Sequence, residues 1–278
     1  MLMKREPRVF EVEVFEDTKK KSLGKYKSAT KKLIKNTVVY TGLIQRVKFR
    51  KNKKMDIQVV ADGTVSAGKK CVEQYGGITA VLNFADALVP GGLVEVGATT
   101  QEENLCRCSN LYQSLTSEYP MEYYYKANAD VFGKNSRKLG NSVYLDNLIY
   151  STDVTFFKDD ITYKDVKPYK MDVITCPSPS TYIVDPKAEM AIIGQRTDQI
   201  VKSAIANGVN NLVLGAWGCG AFLQDPRVVS ECFKKSLEKY NAFDHVIFAI
   251  RNCEADIKKN VNYEVFYRTF HGKGVKEN

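Results

Sequence analysis

The sequence predicts an α/β fold, a mixed or parallel sheet with helices on both faces. The strand candidates are IQVV (57–60), ITAVLNFA (78–85), MDVITC (171–176), NLVLGA (211–216) and HVIFAI (245–250). These runs are short, apolar and β-branched, without the polar alternation of half-exposed strands, so they read as buried on both faces. Segments with apolar residues at three- and four-residue spacing separate them, as helices covering such a sheet require. The 278 residues, 44% hydrophobic and 26% charged, are globular in composition. No stretch approaches the roughly 18–20 apolar residues of a membrane span. The economical reading is one α/β domain over 57–278 preceded by a basic N-terminal extension over 1–56.

Taken in order, residues 1–24 open with alternation around Val9, Val12 and Val14 and run into DTKKKSLGKYK, which reads as a strand or arm and a loop. SATKKLIKNTVVY, from Ser28, reads as a helix with Leu33, Ile34, Val38 and Val39 at helical spacing. A charged turn region (45–56) precedes the first core strand. TVSAGKKCVEQYG then reads as a helix with Thr64 at its cap and Gly76 past its end. NLCRCSNLYQSL reads as one helix with Leu105, Cys108, Leu111, Tyr112 and Leu115 inward. A Tyr-rich stretch leads to two strand-like runs, SVYLDNLIYS and VTFFKDD. Further helices are expected over 186–207, from Asp225, and over NYEVFYRTF.

The net charge of +9 is unevenly placed: residues 1–60 carry +11 and the rest −2. A basic arm can meet an anionic polymer by counterion release, although a solvated Lys-rich surface explains the same run. Neither zinc-finger spacing nor an RNP-type aromatic motif accompanies it, so a nucleic-acid partner is not expected. Seven cysteines without a C-x-x-C argue for reduced thiols and a cytoplasmic location.

Several kinds of site are excluded by type and spacing. Two histidines, His245 and His271, do not make a two-His zinc site. There is no G-x-S-x-G elbow, no P-loop, and no G-x-G-x-x-G after the first strand. Cys106 and Cys108, two apart on a helix, point in different directions. Two loops remain, each after an apolar strand and before a helix: Pro90-Gly91-Gly92 through Gly97 to Gln101-Glu102-Glu103, and Gly215 through Phe222. Glycines let backbone N–H groups approach an oxyanion, and two such loops at neighbouring strand ends would frame a crevice for a phosphorylated ligand. Glu102 and Glu103 are the acid/base candidates there. Neighbouring helix positions diverge by about 100°, so one carboxylate is expected in the cleft and the other elsewhere, their repulsion raising one pKa. Acidic residues complementing a helix dipole give an equally simple reading of the pair.

VLNFADALVPGGLVEVGATTQEENLCRCSNLY closely resembles the signature of the microbial-type poly(ADP-ribose) glycohydrolases, and LVLGAWGCGAFLQDP resembles that family's second loop. The resemblance runs from about residue 57 to 270 and implies the macrodomain fold, a three-layer α/β/α sandwich. It implies an ADP-ribosyl hydrolase that needs no cofactor or metal, with ADP-ribose, poly(ADP-ribose) and ADP-ribosylated proteins as partners. By the same resemblance Glu103 is the general acid toward the leaving 2′ oxygen, Glu102 orients the substrate, and Gln101 braces the loop. Asn83 contacts ribose and Gly91 and Gly92 wrap the diphosphate. Gly218, Cys219 and Gly220 bind diphosphate through N–H groups, within a loop running from Gly215 through Ala221, and Phe222 packs on the adenosine.

Two positions depart from the pattern. Leu93 stands where the family has a third glycine, and a positive φ there would strain it. Asp86 puts a carboxylate near an anionic ligand, which costs affinity unless it is hydrogen-bonded away. Alternative readings are therefore an ADP-ribose-binding macrodomain with little turnover, or a mono-ADP-ribosyl-protein hydrolase.

Overall fold

The computed structural model describes residues 8–52, 54–135, 144–179, 186–251 and 260–272. Among the described residues seven strands form one mixed sheet: β1 (Val38–Tyr40), β2 (Asp56–Val60), β3 (Thr79–Phe84), β4 (Leu148–Lys158), β5 (Asp165–Cys176), β6 (Asn211–Leu214) and β7 (His245–Ala249), in the order β1-β4-β5-β3-β6-β7-β2. β1, β4 and β5 pair antiparallel, whereas β5, β3, β6, β7 and β2 run parallel. The parallel strands are the five apolar runs; β3, β6, β7 and residues 171–176 of β5 are almost wholly buried, whereas β2, at the sheet edge, buries only Val59 and is otherwise half-buried or exposed, against the expectation that it is covered on both faces.

One core layer lies under α8 (Pro186–Ala206), α9 (Pro226–Tyr240) and α10 (Val261–His271), around Trp217, Phe233, Phe248 and Phe266. The other lies under α1 (Val9–Leu23), α2 (Lys27–Asn36), α3 (Thr64–Gln74), α4 (Gln101–Cys108) and α5 (Leu111–Leu115). The Tyr-rich stretch is helical: a short turn α6 (Glu118–Pro120), π-helical turns (Met121–Lys126) and helix α7 (Ala127–Asn135). Among the described residues no helix is long and apolar enough to cross a membrane.

Five expectations are corrected. Residues 9–23 form helix α1 and not a strand, because Phe15, Thr18 and Ser22 fall on one helical face and are buried there. The helix from residue 27 stops at Asn36, and Val38 and Val39 leave it to pair with Tyr150 and Ile149 of β4. The helix after the QEE is broken at Ser109, whose extended backbone bridges Phe156. The two strand-like runs around 142–160 form the single strand β4 from Leu148, interrupted at Asp153 (φ 60°), while residues 142 and 143 lie outside the described residues. Thr64 is the first helical residue of α3, after the N-cap Gly63.

The described residues of the 1–56 segment, 8–52 and 54–56, pack against the rest of the chain. Its β1 is an edge strand of the sheet, and Phe15, Leu33 and Val39 belong to the core. Buried Lys158 pairs with Asp17 at 2.6 Å and Asp165 at 3.2 Å, and Lys21 joins both carboxylates. Thr18 donates to the Arg107 carbonyl at 2.6 Å, while fully buried Arg107 donates to the carbonyls of Glu11 and Ala98. The first seven residues lie outside the described residues. Because Phe15 is fully buried and edge-on to Tyr112 (4.9 Å), Phe15→Ala should destabilise the domain by about 3–5 kcal/mol in urea titration. A loss below 1 kcal/mol would show that α1 is only loosely attached.

Candidate active site

The carboxyl ends of the five parallel strands meet at one cavity of about 510 Å³, within the range of small-ligand sites. It opens where β3 and β6 part. β3 pairs with β5 as far as Phe84 but with β6 only as far as Val81. The Gln101 side chain fills the opened edge, accepting from the Phe84 N–H (2.8 Å) and donating to the Leu82 carbonyl (2.7 Å) and the Thr64 hydroxyl (3.1 Å). Gln101 thus joins the start of α4 to the end of β3.

Glu102 and Glu103 follow in the first turn of α4, 2% and 4% exposed. Glu102 accepts from Asn83 Nδ2 (3.1 Å) and from the Asp86 N–H (2.7 Å). Asn83 is itself fully buried and also donates to Thr175 Oγ1 (3.2 Å). Glu103 accepts from the Leu93 N–H (3.0 Å) and from the hydroxyl of Thr100, the N-cap of α4. Both carboxylates line the cavity beside Gly92, where a Cβ would stand 2.5 Å from Glu103 Oε1 and 3.3 Å from Glu102 Oε2. The expectation that only one enters the cleft is therefore corrected: the loop folds back over the first turn, so both meet its backbone.

Burial pushes the Glu102 carboxyl well above the usual glutamate range; its hydrogen bonds from Asp86 and Asn83 oppose this, and the charges of Asp86 and Glu103 add to it. Desolvation, more than repulsion within the pair, is the cause.

The Gly-Gly turn needs its glycines. Gly91 (φ 71°) and Gly92 (φ 60°) are left-handed, and a Cβ on Gly91 would stand 2.8 Å from the Tyr112 ring. Leu93 has φ −101°, so the anticipated strain is absent, and its exposed side chain lines the cavity. Asp86 Oδ1 accepts from the N–H groups of Leu88 (2.7 Å) and Val89 (3.0 Å), a turn bond that occupies part of its carboxylate.

In the second loop, Gly215 lies where a Cβ would strike the Ala249 carbonyl, and Gly218 (φ 78°) where it would strike Ser178 Oγ. Gly218, Gly220, Ala221 and Phe222 line the cavity. Among the described residues the N–H groups of Gly218, Gly220 and Ala221 have no hydrogen-bond partner. Cys219 is different. Its N–H bonds the Ala216 carbonyl, its side chain packs on the core, and burial pushes its thiol up to about 12, so it lies behind the loop.

Sequence reasoning passed over Phe84, Thr100, Asp160, Ser178 and Arg251, which also line the cavity. Each follows or precedes a strand or helix end, but only the strand order brings them together. Cys106 and Cys108 are buried thiols raised by desolvation, and among the described residues no group of His, Cys, Asp and Glu is arranged to hold a metal ion.

Parallel strand ends that frame two glycine loops and a pair of buried carboxyls, in one mixed sheet covered by helices on both faces, make an α/β domain with the architecture that the sequence resemblance implies. The family described as microbial-type PARG, catalytic domain, matches residues 11–159, and the chain belongs to this family of poly(ADP-ribose) glycohydrolases. The match begins inside α1. Solved structures agree with it. Poly(ADP-ribose) glycohydrolase from Deinococcus radiodurans in complex with ADP-ribose is 30% identical, covering 87% of this chain and 97% of that one, with a TM-score of 0.74. The enzyme from Thermomonospora curvata is 26% identical over 95% of this chain and 100% of that one (TM-score 0.78). Its complex with the inhibitor ADP-HPD is 26% identical, with 94% and 99% coverage (TM-score 0.76). Comparison with curated protein sequences finds no match.

Two outcomes test the geometry. Gly92→Ala, a Cβ against Glu103 in a left-handed turn, should lower turnover at least 100-fold and destabilise the domain by about 1 kcal/mol or more in urea titration; undiminished turnover and stability would mean the turn relaxes freely. Glu102 gives a pH signature. Its raised native pKa means the folded state keeps a proton that the unfolded chain releases, so stability falls as pH rises from about 4.5 through the native value. Melting temperatures between pH 5 and 8 should therefore fall more steeply for wild type than for Glu102→Gln, and parallel curves would show that the carboxyl is not held protonated.

Proposed function

We propose that this chain hydrolyses the ribose–ribose O-glycosidic bond of poly(ADP-ribose) and releases ADP-ribose, with Glu103 as general acid. The observation that carries this reading is the setting of Glu103: a nearly buried carboxyl in the cavity wall, beside Gly92, held by Thr100 and the Leu93 N–H. The free N–H groups of Gly218, Gly220 and Ala221 suit a diphosphate in the same cavity, and the relatives' complexes with ADP-ribose and ADP-HPD support such a ligand. Phe222 and Phe84 offer apolar surface to the adenosine part.

In this mechanism Glu103 passes its proton to the 2′ oxygen that leaves C1″, and an oxocarbenium-like sugar forms beside the diphosphate. A water molecule adds to C1″ and returns its proton to the Glu103 carboxylate, which restores the acid. Glu102, held by Asn83 and Asp86, orients the ribose hydroxyls and Gln101 keeps the loop on β3. ADP-ribosylated proteins are the natural carriers of this substrate.

The test is release of ADP-ribose from auto-modified, poly(ADP-ribosyl)ated protein with metal chelated. Wild type should release it, and Glu103→Gln should lose roughly 10²–10⁴ in turnover, the range for a general acid, while binding ADP-ribose within a few-fold by calorimetry. Equal activity would remove Glu103 from the mechanism. Leu93, whose side chain narrows the cavity beside Gly92, supports a second reading, in which the preferred substrate is a protein carrying a single ADP-ribose. The same assay on mono-ADP-ribosylated protein separates the two.

A further inference from the structure

The chain between β1 and β2 crosses the molecule from one edge of the sheet to the other, since these strands are its two outermost members. Seven strands make that crossing about 29 Å wide. The described residues of this strap, 41–52, 54 and 55, have no regular secondary structure. It is pinned at intervals. The Gly42 N–H donates to Asn147 Oδ1 (2.8 Å), and the Ile44 N–H to Gln199 Oε1 of α8 (2.6 Å). Lys202 donates to the Ile44 carbonyl (2.8 Å), Val47 packs on the core, and Asn52 bonds the Asn241 and Phe243 carbonyls.

Between these pins the strap presents Arg46, Lys48, Arg50 and Lys51, all exposed. Among the described residues none of the four makes an ion pair or a side-chain hydrogen bond. That sets them apart from Lys21, Lys32, Lys70, Lys158 and Lys239, each of which meets a carboxylate. Phe49 stands among them, 42% exposed and edge-on to Tyr240 at 5.3 Å. Uncompensated cations around an exposed aromatic ring are what a chain of alternating phosphates and bases requires, the cations for the phosphates and the ring for stacking.

Tyr240 ends α9, whereas the other end of α9 follows the Gly218–Phe222 loop of the cavity. Fifteen residues of helix put the strap about 22 Å from the cleft. We propose that this strap is a second binding site for the polyanionic substrate chain, holding a stretch of poly(ADP-ribose) through its diphosphates and adenines while the chain end occupies the cleft. This rests on the reading under Proposed function. Tethering at two points raises the local concentration of chain ends at the cleft, so the strap serves long polymers and not short ones.

The test compares wild type with a variant carrying Arg46→Ser, Lys48→Ser, Arg50→Ser and Lys51→Ser, all solvent-facing, and each with a Glu103→Gln counterpart for binding. ADP-ribose release from short oligomers should agree within two-fold between wild type and the strap variant. If neither releases any, the hydrolase reading fails, and the binding arm still judges the strap. Long poly(ADP-ribose) should bind the strap variant at least 10-fold more weakly at low salt, and the slope of log affinity against log salt should shrink by about 3, some 0.7 per lost phosphate contact. Phe49→Ser alone should weaken long-polymer binding several-fold without changing that slope. Unchanged affinity and slope would overturn the proposal. Tighter binding of single-stranded DNA of matched length than of the polymer, lost in the strap variant, would also overturn it and assign the strap to nucleic acid.

Discussion

Two nearly buried carboxyl groups in the first turn of one helix are the constraint around which this domain is arranged. A carboxyl removed from water needs donors, and adjacent positions on a helix look in different directions. The solution is to surround the turn. Asn83 and the Asp86 N–H reach Glu102 from the end of β3, and the Leu93 N–H and the Thr100 hydroxyl reach Glu103 from the returning loop. The loop can come that close only because Gly92 has no side chain and tolerates a left-handed backbone.

The loop in turn needs support from behind, which the N-terminal helix supplies. Arg107, one helical turn beyond Glu103, reaches the Ala98 carbonyl of the loop and the Glu11 carbonyl of α1. The Phe15 ring meets Tyr112, whose own ring packs against Gly91 and whose hydroxyl bonds Glu95. Residues that look like a basic appendage in the sequence thus form the rear wall of the site. The positive charge left over is concentrated further along, in the 41–55 strap.

Much of the fold was legible because parallel strands buried on both faces have a composition of their own. The five apolar runs became β2, β3, β5, β6 and β7 within one or two residues at most boundaries, and β5 only began earlier. The misreadings have a common cause. VFEVEVFED alternates like a strand, yet Phe15 meets Tyr112 of α5 and Thr18 the Arg107 carbonyl of α4 on one buried helical face, and tertiary contact outweighed local pattern. Val38 and Val39 continue a helical spacing, but an edge of β4 was free to take them.

What the sequence determined by itself was the family, the two glycine loops in their order, and the residue types that chemistry at such loops requires. Those are local properties, carried by a few contiguous residues whose backbone needs cannot be met by other side chains. The tertiary structure decided that Glu102 and Glu103 converge, that Cys219 turns away from the cavity, and that Leu93 keeps an ordinary backbone. It also decided that Ser178, Asp160 and Arg251 line the same cavity. Each of these depends on which strands lie side by side and where β3 and β6 part, and such neighbour relations between distant segments leave no mark in the spacing of residues along the chain.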